Sequence, residues 1–267
     1  MSEHVPRRMP VVFVGHGSPM NAIEDNEFSR GWEATARKLP QPSSILCISA
    51  HWETTGSQVT GMDQPRTIHD FGGFPQELYE VQYPAPGSQR LAQETISAVH
   101  KAAVGIDHEW GLDHGCWSVL RRMYPAADVP VVQLSLDHRM PARHHYELGR
   151  ELSPLRDNGV LVLASGNIVH NLGRIALPRG GGFNTPFGLP WALEARELFM
   201  TLIAGGRHDE LVDYHSLGSA VQLAVPTPEH YLPLLYALAL KGGDESISIF
   251  NDKAVAGSLT MTSLLIQ

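Results

Sequence analysis

Uninterrupted apolar runs, rather than alternating ones, mark the strongest strand candidates along the chain. Four such runs stand out: Val11–Val14, Ile45–Ser49, Val131–Leu136 and Val160–Ala164. A short run without alternation of apolar and polar positions is typical of a strand covered on both faces of a sheet. Weaker strand patterns cover Val59–Met62, Val104–Ile106, Ser246–Phe250 and Leu259–Leu265. The pattern therefore predicts a sheet with a buried centre.

Helical periodicity fills the segments between these strands. It covers Glu27–Leu39, Ser88–Lys101, Cys116–Tyr124, Ala142–Arg156, Trp191–Ala204 and Pro228–Leu240. The last helix has a clear predicted start, with Thr227 as N-cap and Pro228 at the first helical position. Strands and helices interleave, and no long linker or repeat divides the chain. We therefore predict an α/β fold, a single domain with a central mixed, mostly parallel sheet flanked by helices.

Composition and charge narrow the class of protein. The chain has 267 residues, with 20 Lys and Arg against 28 Asp and Glu, which gives a formal net charge of -8. Because no cluster of Lys or Arg could neutralise phosphates, we expect no nucleic-acid partner. No apolar stretch approaches the roughly 20 residues that cross a bilayer. Cys47 and Cys116 are too few for a disulfide framework. We expect a cytoplasmic protein with no membrane association.

Histidine is the residue type that calls for an explanation, with 14 in the chain, and four histidines share a setting. His16 follows the first predicted strand, His51 the second and His170 the fourth, while His230 lies in the first turn of the last predicted helix. The ligand crevice of an open α/β sheet lies beyond the carboxyl ends of its strands. Three or four neutral imidazoles meeting there would form a transition-metal site.

Other readings apply to single histidines. Any one of the four could instead cap a strand end or hydrogen-bond within the core. We assign the pair His144-His145 to solvated surface, because the helix around it is polar. Asp113-His114 precedes a helix, where the carboxylate could orient the imidazole. Cys116 is a conceivable nucleophile, but the local sequence supplies no third group to orient it. Five histidines have no supporting context: His4, His100, His138, His208 and His215.

A set of motifs between residues 13 and 234 resembles a known enzyme family. In chain order these motifs are Phe13–Met20, Ser49–Trp52, Thr67–Pro75, Asp113–Trp117, Ala164–Asn171 and Pro226–Leu234. Together they resemble the class III extradiol dioxygenases, and more closely the 4,5-DOPA extradiol dioxygenase branch of that family. The resemblance implies one domain of this type over residues 1–267, with a mononuclear metal in a cleft.

The resemblance also implies roles for individual residues. His16, His51 and His230 would be metal ligands. His170 would be the catalytic acid and base and lies close enough to the ion to count as a further ligand candidate. His114 would line the pocket for dioxygen and substrate. The loop Thr67–Pro75 would cover the substrate, with His69, Asp70 and Phe71 as its binding residues.

The third ligand departs from the better-known members of the family. Those enzymes hold Fe(II) with two histidines and a glutamate, and here the matching motif offers both Glu229 and His230. Adjacent residues of a helix point about 100° apart, so only one of the two can ligate. We favour His230, as this branch of the family does. A site of three histidines suits one divalent ion, Zn2+ or Fe2+.

The expected activity follows from the resemblance. The enzyme would insert O2 into a DOPA-like catechol and open the ring to a semialdehyde. His170 would accept a catechol proton and later return it. Two alternatives stay open: a zinc hydrolase of the same fold, and a non-catalytic, metal-stabilised interaction protein. The sequence leaves open the physiological catechol, the bond that breaks and the oligomeric state.

Overall fold

An eight-stranded sheet runs through the middle of the computed structural model, which describes residues 8–267. His4 lies outside the described residues. The strands of the main sheet are β1 (Val11–Gly15), β2 (Ser44–Thr54), β3 (Ser57–Thr60), β4 (Val104–Asp107), β5 (Val131–Asp137), β6 (Val160–Gly166), β7 (Ile247–Phe250) and β10 (Ser263–Ile266). A separate two-stranded ribbon consists of β8 (Ala254–Val255) and β9 (Leu259–Thr260).

The order of the strands confirms the predicted fold class. The main sheet runs β4-β3-β5-β2-β6-β1-β10-β7. Its four central strands, β5, β2, β6 and β1, are mutually parallel, whereas β3 pairs antiparallel with β5, and β10 pairs antiparallel with both β1 and β7. The sheet is therefore mixed and mostly parallel, and the carboxyl ends of its central strands meet at one edge.

Apolar layers cover both faces of the central strands. In β1, Val11 and Phe13 pack into one layer, while Val12 and Val14 pack into the other. All four side chains are completely buried. Burial on both faces explains why these strands read as continuous apolar runs in the sequence.

Helices flank the sheet on both sides. They are α1 (Glu27–Ala36), α2 (Gln76–Tyr79), α3 (Gln89–Ala98), α4 (His114–Met123), α5 (Ala142–Glu151), α6 (Ser153–Asp157), α7 (Pro190–Ala204), α8 (His208–Val212), α9 (Ser219–Ala224) and α10 (Leu232–Ala239). The segment predicted as one helix over Ala142–Arg156 is two helices, because Pro154 lacks an N–H donor and cannot continue α5.

The predicted start of the last helix was wrong. Helix α10 begins at Leu232, and the residues before it form a turn in which the N–H groups of Tyr231 and Leu232 both donate to the carbonyl of Pro228. The Thr227 hydroxyl does not cap the helix, since it donates to the Glu229 carboxylate at 2.9 Å. His230 therefore lies in a turn, and the helical argument that separated it from Glu229 does not apply.

The assignment of His144-His145 to solvated surface was wrong for His145. This side chain is completely buried between α5 and α10, where its Nδ1 lies 3.1 Å from the hydroxyl of Tyr236. Burial lowers the pKa of His145 to about 4, so it is neutral in the folded protein at neutral pH. His145 shares the buried face of α5 with Leu148 and Gly149, although most residues of this helix are polar.

None of the helices in residues 8–267 combines the length and the apolar character that a bilayer span requires.

Candidate metal centre and adjoining cavity

Two histidines meet at the carboxyl edge of the central strands. His16 directly follows β1, and its N–H donates to the carbonyl of Gly166 at the end of β6. His51 lies inside β2 rather than after it, where the pairing with β5 shifts register between Ile48 and Glu53. This bulge redirects the strand, as bulges beside functional sites commonly do. The Nε2 atoms of His16 and His51 are 3.1 Å apart.

His230 belongs to the turn before α10 and lies beside His16 and His51. Its carbonyl accepts a hydrogen bond from the N–H of Asn167 at 2.8 Å. The backbone passes so close to β6 that a Cβ on Gly166 would lie 2.2 Å from that carbonyl oxygen, so only glycine fits there. The ring of His230 lies 5.3 Å from that of His16 and 5.0 Å from that of His51, measured between centroids.

An oxygen atom lies near Nδ1 of each of the three rings, and it is hydrogen-bonded to Nδ1 in His16 and His230. Nδ1 of His16 lies 3.0 Å from the Ser165 hydroxyl, which itself donates to a backbone carbonyl and so accepts from the imidazole. Nδ1 of His230 lies 3.0 Å from the Glu229 carboxylate, and Nδ1 of His51 lies 3.4 Å from that of Asp70. With the proton on Nδ1, the lone pair of each ring is on Nε2.

The donor set fits one divalent ion. One ligand atom from each of His16, His51 and His230 can be chosen so that all three lie within 4.8 Å of one another. Two nitrogens bound to one ion at about 2.1 Å are about 3.0–3.4 Å apart, which matches the separation of the His16 and His51 Nε2 atoms. Two facing lone pairs at that distance repel each other unless a cation or proton lies between them.

Burial keeps these imidazoles in the neutral form that binds metals. Desolvation, followed by the charge of neighbouring histidines, lowers the pKa of His16 and of His51 well below the usual value. Desolvation also lowers the pKa of His230, although the Glu229 carboxylate opposes this effect. Burial raises the pKa of Glu229, but hydrogen bonds, first of all the one from His230, outweigh this effect and bring the value to about 2. Glu229 is therefore ionised and orients His230.

His170 lies against the third histidine of this group. Its ring stacks on that of His230, with centroids 3.5 Å apart and planes 8° apart. His170 belongs to a different cluster of potential ligands, with Glu229 and His230. Burial, followed by His230, lowers its pKa to about 3, so His170 is neutral at neutral pH.

Asp70 connects His114 to the same centre. Its carboxylate accepts from the backbone N–H of His114 at 2.8 Å and from Nδ1 of the same residue at 2.9 Å. The ring of His114 lies 3.9 Å from that of His51. Asp70, and not the neighbouring Asp113, therefore orients His114. A third cluster of potential ligands consists of His51, Asp70 and His114.

Asp113 has a structural task instead. It is completely buried and is the N-cap of α4, accepting from the N–H of Cys116. It also accepts from the Ser49 hydroxyl and from the Gln133 side chain, both at 2.7 Å. These contacts tie the bulge of β2 to the start of α4, and so fix His51 relative to His114.

A cavity of about 930 Å³ opens beside the histidines. Asp70, Phe71 and Phe74 of the loop predicted to cover the substrate line it, together with His114 and His170. Sequence reasoning missed a further wall, the segment 182–186, whose glycine-rich loop carries no chemical motif. Its one aromatic residue, Phe183, was the available signal.

His69 does not line this cavity, contrary to its predicted role in substrate binding. Its Nε2 lies 3.0 Å from the carbonyl of Val81, and its ring packs against Phe71, Tyr79 and Trp117. His69 therefore packs against Phe71, which lines the cavity, and does not face the cavity itself.

Cys116 is not placed for nucleophilic chemistry. The thiol is completely buried, and desolvation raises its pKa well above the usual value, so it stays protonated. Its hydrogen-bonding neighbour is Cys47, which is buried too. Both cysteines act as small apolar residues.

Comparisons with known proteins agree with this geometry. A family model described as the catalytic LigB subunit of aromatic ring-opening dioxygenase matches residues 2–263. A protein of Escherichia coli K12 named 4,5-DOPA dioxygenase extradiol is 48% identical over 265 residues, covering 97% of this chain and 95% of that protein. One of the same name from Beta vulgaris is 37% identical, covering 94% of each chain. The crystal structure of an uncharacterized Escherichia coli K12 protein superposes with a TM-score of 0.83 at 41% identity, covering 97% of this chain and 100% of that one.

Proposed function

The chain belongs to the LigB family of aromatic ring-opening dioxygenases and is an extradiol dioxygenase, and we propose that it opens the ring of a DOPA-like catechol with O2 to give a semialdehyde. One divalent ion, held by His16, His51 and His230, would serve the reaction. The observation that carries the proposal is the convergence of these three oriented, neutral imidazoles beside a cavity with aromatic walls.

The choice of metal follows from the chemistry of the step. A bound divalent ion would favour ionised catechol oxygens, and Fe2+ would add the redox chemistry that O2 requires and Zn2+ lacks. Of the two ions, we propose Fe2+ as the one that supports ring cleavage.

His170 is the proposed acid and base. Because it is neutral and half-buried at the cavity wall, it has a free site for a proton from a catechol hydroxyl. The Glu229 carboxylate nearby favours the protonated form once the proton has arrived. The same proton is then available to the ring-opened product.

Asp70, His114 and the two phenylalanines of the loop would position the substrate. Asp70 fixes the ring of His114 at the cavity wall. Phe71 packs edge-on to His114 with centroids 5.5 Å apart, and edge-on to Phe74 at 5.3 Å. Such apolar walls exclude water and hold an aromatic ring by offset or edge contacts. The cavity lies in the range of about 300–1,000 Å³ that small-molecule sites occupy, and it accommodates a catechol with a side chain.

The test is reconstitution of the metal-free protein under anaerobic conditions with Fe2+ or Zn2+ in parallel, followed by L-DOPA and isotopically labelled O2. We expect a yellow semialdehyde carrying both labelled oxygen atoms with the Fe2+ form only. Consumption of the catechol without label, or activity of the Zn2+ form alone, would contradict the proposal and favour hydrolytic chemistry.

A further inference from the structure

A carboxylate and an amide meet at the cavity, away from the five histidines. Glu24 and Asn184 both line the cavity, and Oε2 of Glu24 accepts from Nδ2 of Asn184 at 3.0 Å. Glu24 comes from the segment after His16, and Asn184 from the wall formed by residues 182–186. Within residues 8–267, the side-chain hydrogen bonds of Glu24 and Asn184 do not involve the proposed ligands. The pair therefore faces the part of a substrate that lies outside the reacting ring.

The hydrogen bonds fix which atoms of this pair remain available. Nδ2 of Asn184 donates to two oxygens, those of Glu24 and of Asn21, each at 3.0 Å. The Asn21 amide is itself oriented by donating to the carbonyl of His16 at 3.1 Å. Oε1 of Glu24 has no partner within residues 8–267, and Oδ1 of Asn184 is buried without one. A ligand in the cavity can therefore meet the free Oε1 of Glu24 as an acceptor, but it finds no free N–H on this pair.

The charged side chains that line the cavity also favour a ligand that donates hydrogen bonds. The cavity is lined by two carboxylates, Glu24 and Asp70, and by no Lys or Arg among the described residues. Asp70 is occupied by His114, which leaves Glu24 as the free charge. Arg122 touches this turn, but its guanidinium donates to the backbone carbonyls of Asn21 and Glu24 and to the Glu33 carboxylate.

We propose that Glu24 binds an ammonium group on the side chain of the catechol, so that the enzyme selects catechols bearing an amine. An ammonium group offers three donors and no acceptor, which complements the acceptors of this pair. A side-chain carboxylate finds no matching cation in the lining. The inference rests on the proposed ring cleavage and adds the class of side chain that the site accepts.

The first test compares dopamine with propylcatechol, in which a methyl group replaces the ammonium. We expect the Fe2+-loaded enzyme to favour dopamine about 2- to 5-fold in kcat/KM, the range of an exposed ion pair. Anaerobic binding titrations should give the same ratio. Glu24→Gln should remove the preference, because kcat/KM should fall more for dopamine than for propylcatechol. Asp25→Asn, which removes the adjacent exposed acid outside the lining, should keep the preference.

The second test determines whether the enzyme also recognises a carboxylate on the side chain of the catechol. Dihydroxyphenylpropionate lacks only the amine of L-DOPA and should bind more weakly than L-DOPA. Exchange of the exposed Arg174 or Arg179 for Gln should leave this order unchanged. The inference is overturned if Glu24→Gln keeps the wild-type preference, or if either arginine variant selectively loses L-DOPA. Failure of the wild-type enzyme to cleave any of these catechols would instead count against the proposed function.

Discussion

Histidines at the carboxyl edge of the sheet differ in what holds them. Nδ1 is hydrogen-bonded in His16 and His230 and lies 3.4 Å from the Asp70 carboxylate in His51, whereas His170 stacks on His230. A metal ligand needs a fixed ring with a free nitrogen, and an acid and base needs access to a proton on the substrate. The different surroundings therefore distinguish the three proposed ligands from the proposed proton carrier.

The separation predicts different losses in variants. His170→Ala should retain one metal ion per chain and lose about 10²- to 10⁴-fold in turnover, the range for a positioned acid and base. His230→Ala should lose metal occupancy itself. Metal content measured beside kcat distinguishes the two. His138→Ala, at an exposed position, is the control and should change neither. A metal-free His170→Ala beside a metal-bound His230→Ala would reverse the assignments.

At the scale of single residues, the sequence predicted the histidines better than their partners. His16 and His51 could be placed because parallel strands bring their carboxyl ends to one edge. The acceptor of His114 could not be predicted, because Asp70 lies 44 residues away along the chain. The sequence suggested the adjacent Asp113 instead. His145 was misjudged for a similar reason, since the buried hydroxyl of Tyr236 comes from another helix.

Among the elements, the loop Thr67–Pro75 has the clearest testable geometry. Gly73 has a φ of +79°, a left-handed conformation that a β-branched residue adopts only with strain. An added Cβ would meet nothing within 4 Å at either Gly72 or Gly73. The two positions therefore differ in backbone conformation and not in available space.

Gly73→Val should distort this loop and displace Phe71 and Phe74 from the cavity wall. We expect a several-fold higher KM or lower kcat at unchanged metal content, because such loops gate turnover rather than bind the ion. Gly72→Val is the matched control and should behave like the wild type. Equal kinetic constants in both variants would show that the loop is only packed surface.

The contact between α5 and α10 makes stability depend on pH. The pKa of His145 is lowered to about 4 by burial, and then by His144, with Asp137 opposing. Below pH 6.5 the unfolded chain takes up a proton that the folded chain refuses, so stability falls as pH drops toward 4. Between these pH values, the free energy of unfolding of His145→Gln should therefore decrease less than that of the wild type, by at most about 3 kcal/mol.

Urea unfolding at intervals from pH 7 to 4.5 measures this difference. The exposed His100→Gln is the control and should keep the wild-type slope. The difference between His145→Gln and the wild type isolates one group from the other histidines. A parallel decline in both would contradict a neutral, buried His145.

At the scale of the whole molecule, the sheet brings together segments that are far apart in the chain. The buried runs predicted the parallel centre because burial on both faces removes alternation. The bulge in β2 and the wall at residues 182–186 were not predictable, since packing between distant segments determines both. The predicted start of α10 at Pro228 was too early, because residues 228–231 form a turn that satisfies their backbone groups without a helix.

Residues 8–267 contain three clusters of side chains that could hold an ion, and we propose that His16, His51 and His230 hold it. The most direct test is anomalous diffraction at the iron edge from crystals loaded with Fe2+ and a catechol under anaerobic conditions. We predict one ion at about 2.0–2.2 Å from nitrogens of His16, His51 and His230, with the catechol in the cavity beside Phe71. An ion held instead by His51, Asp70 and His114, or by His170, Glu229 and His230, would contradict it.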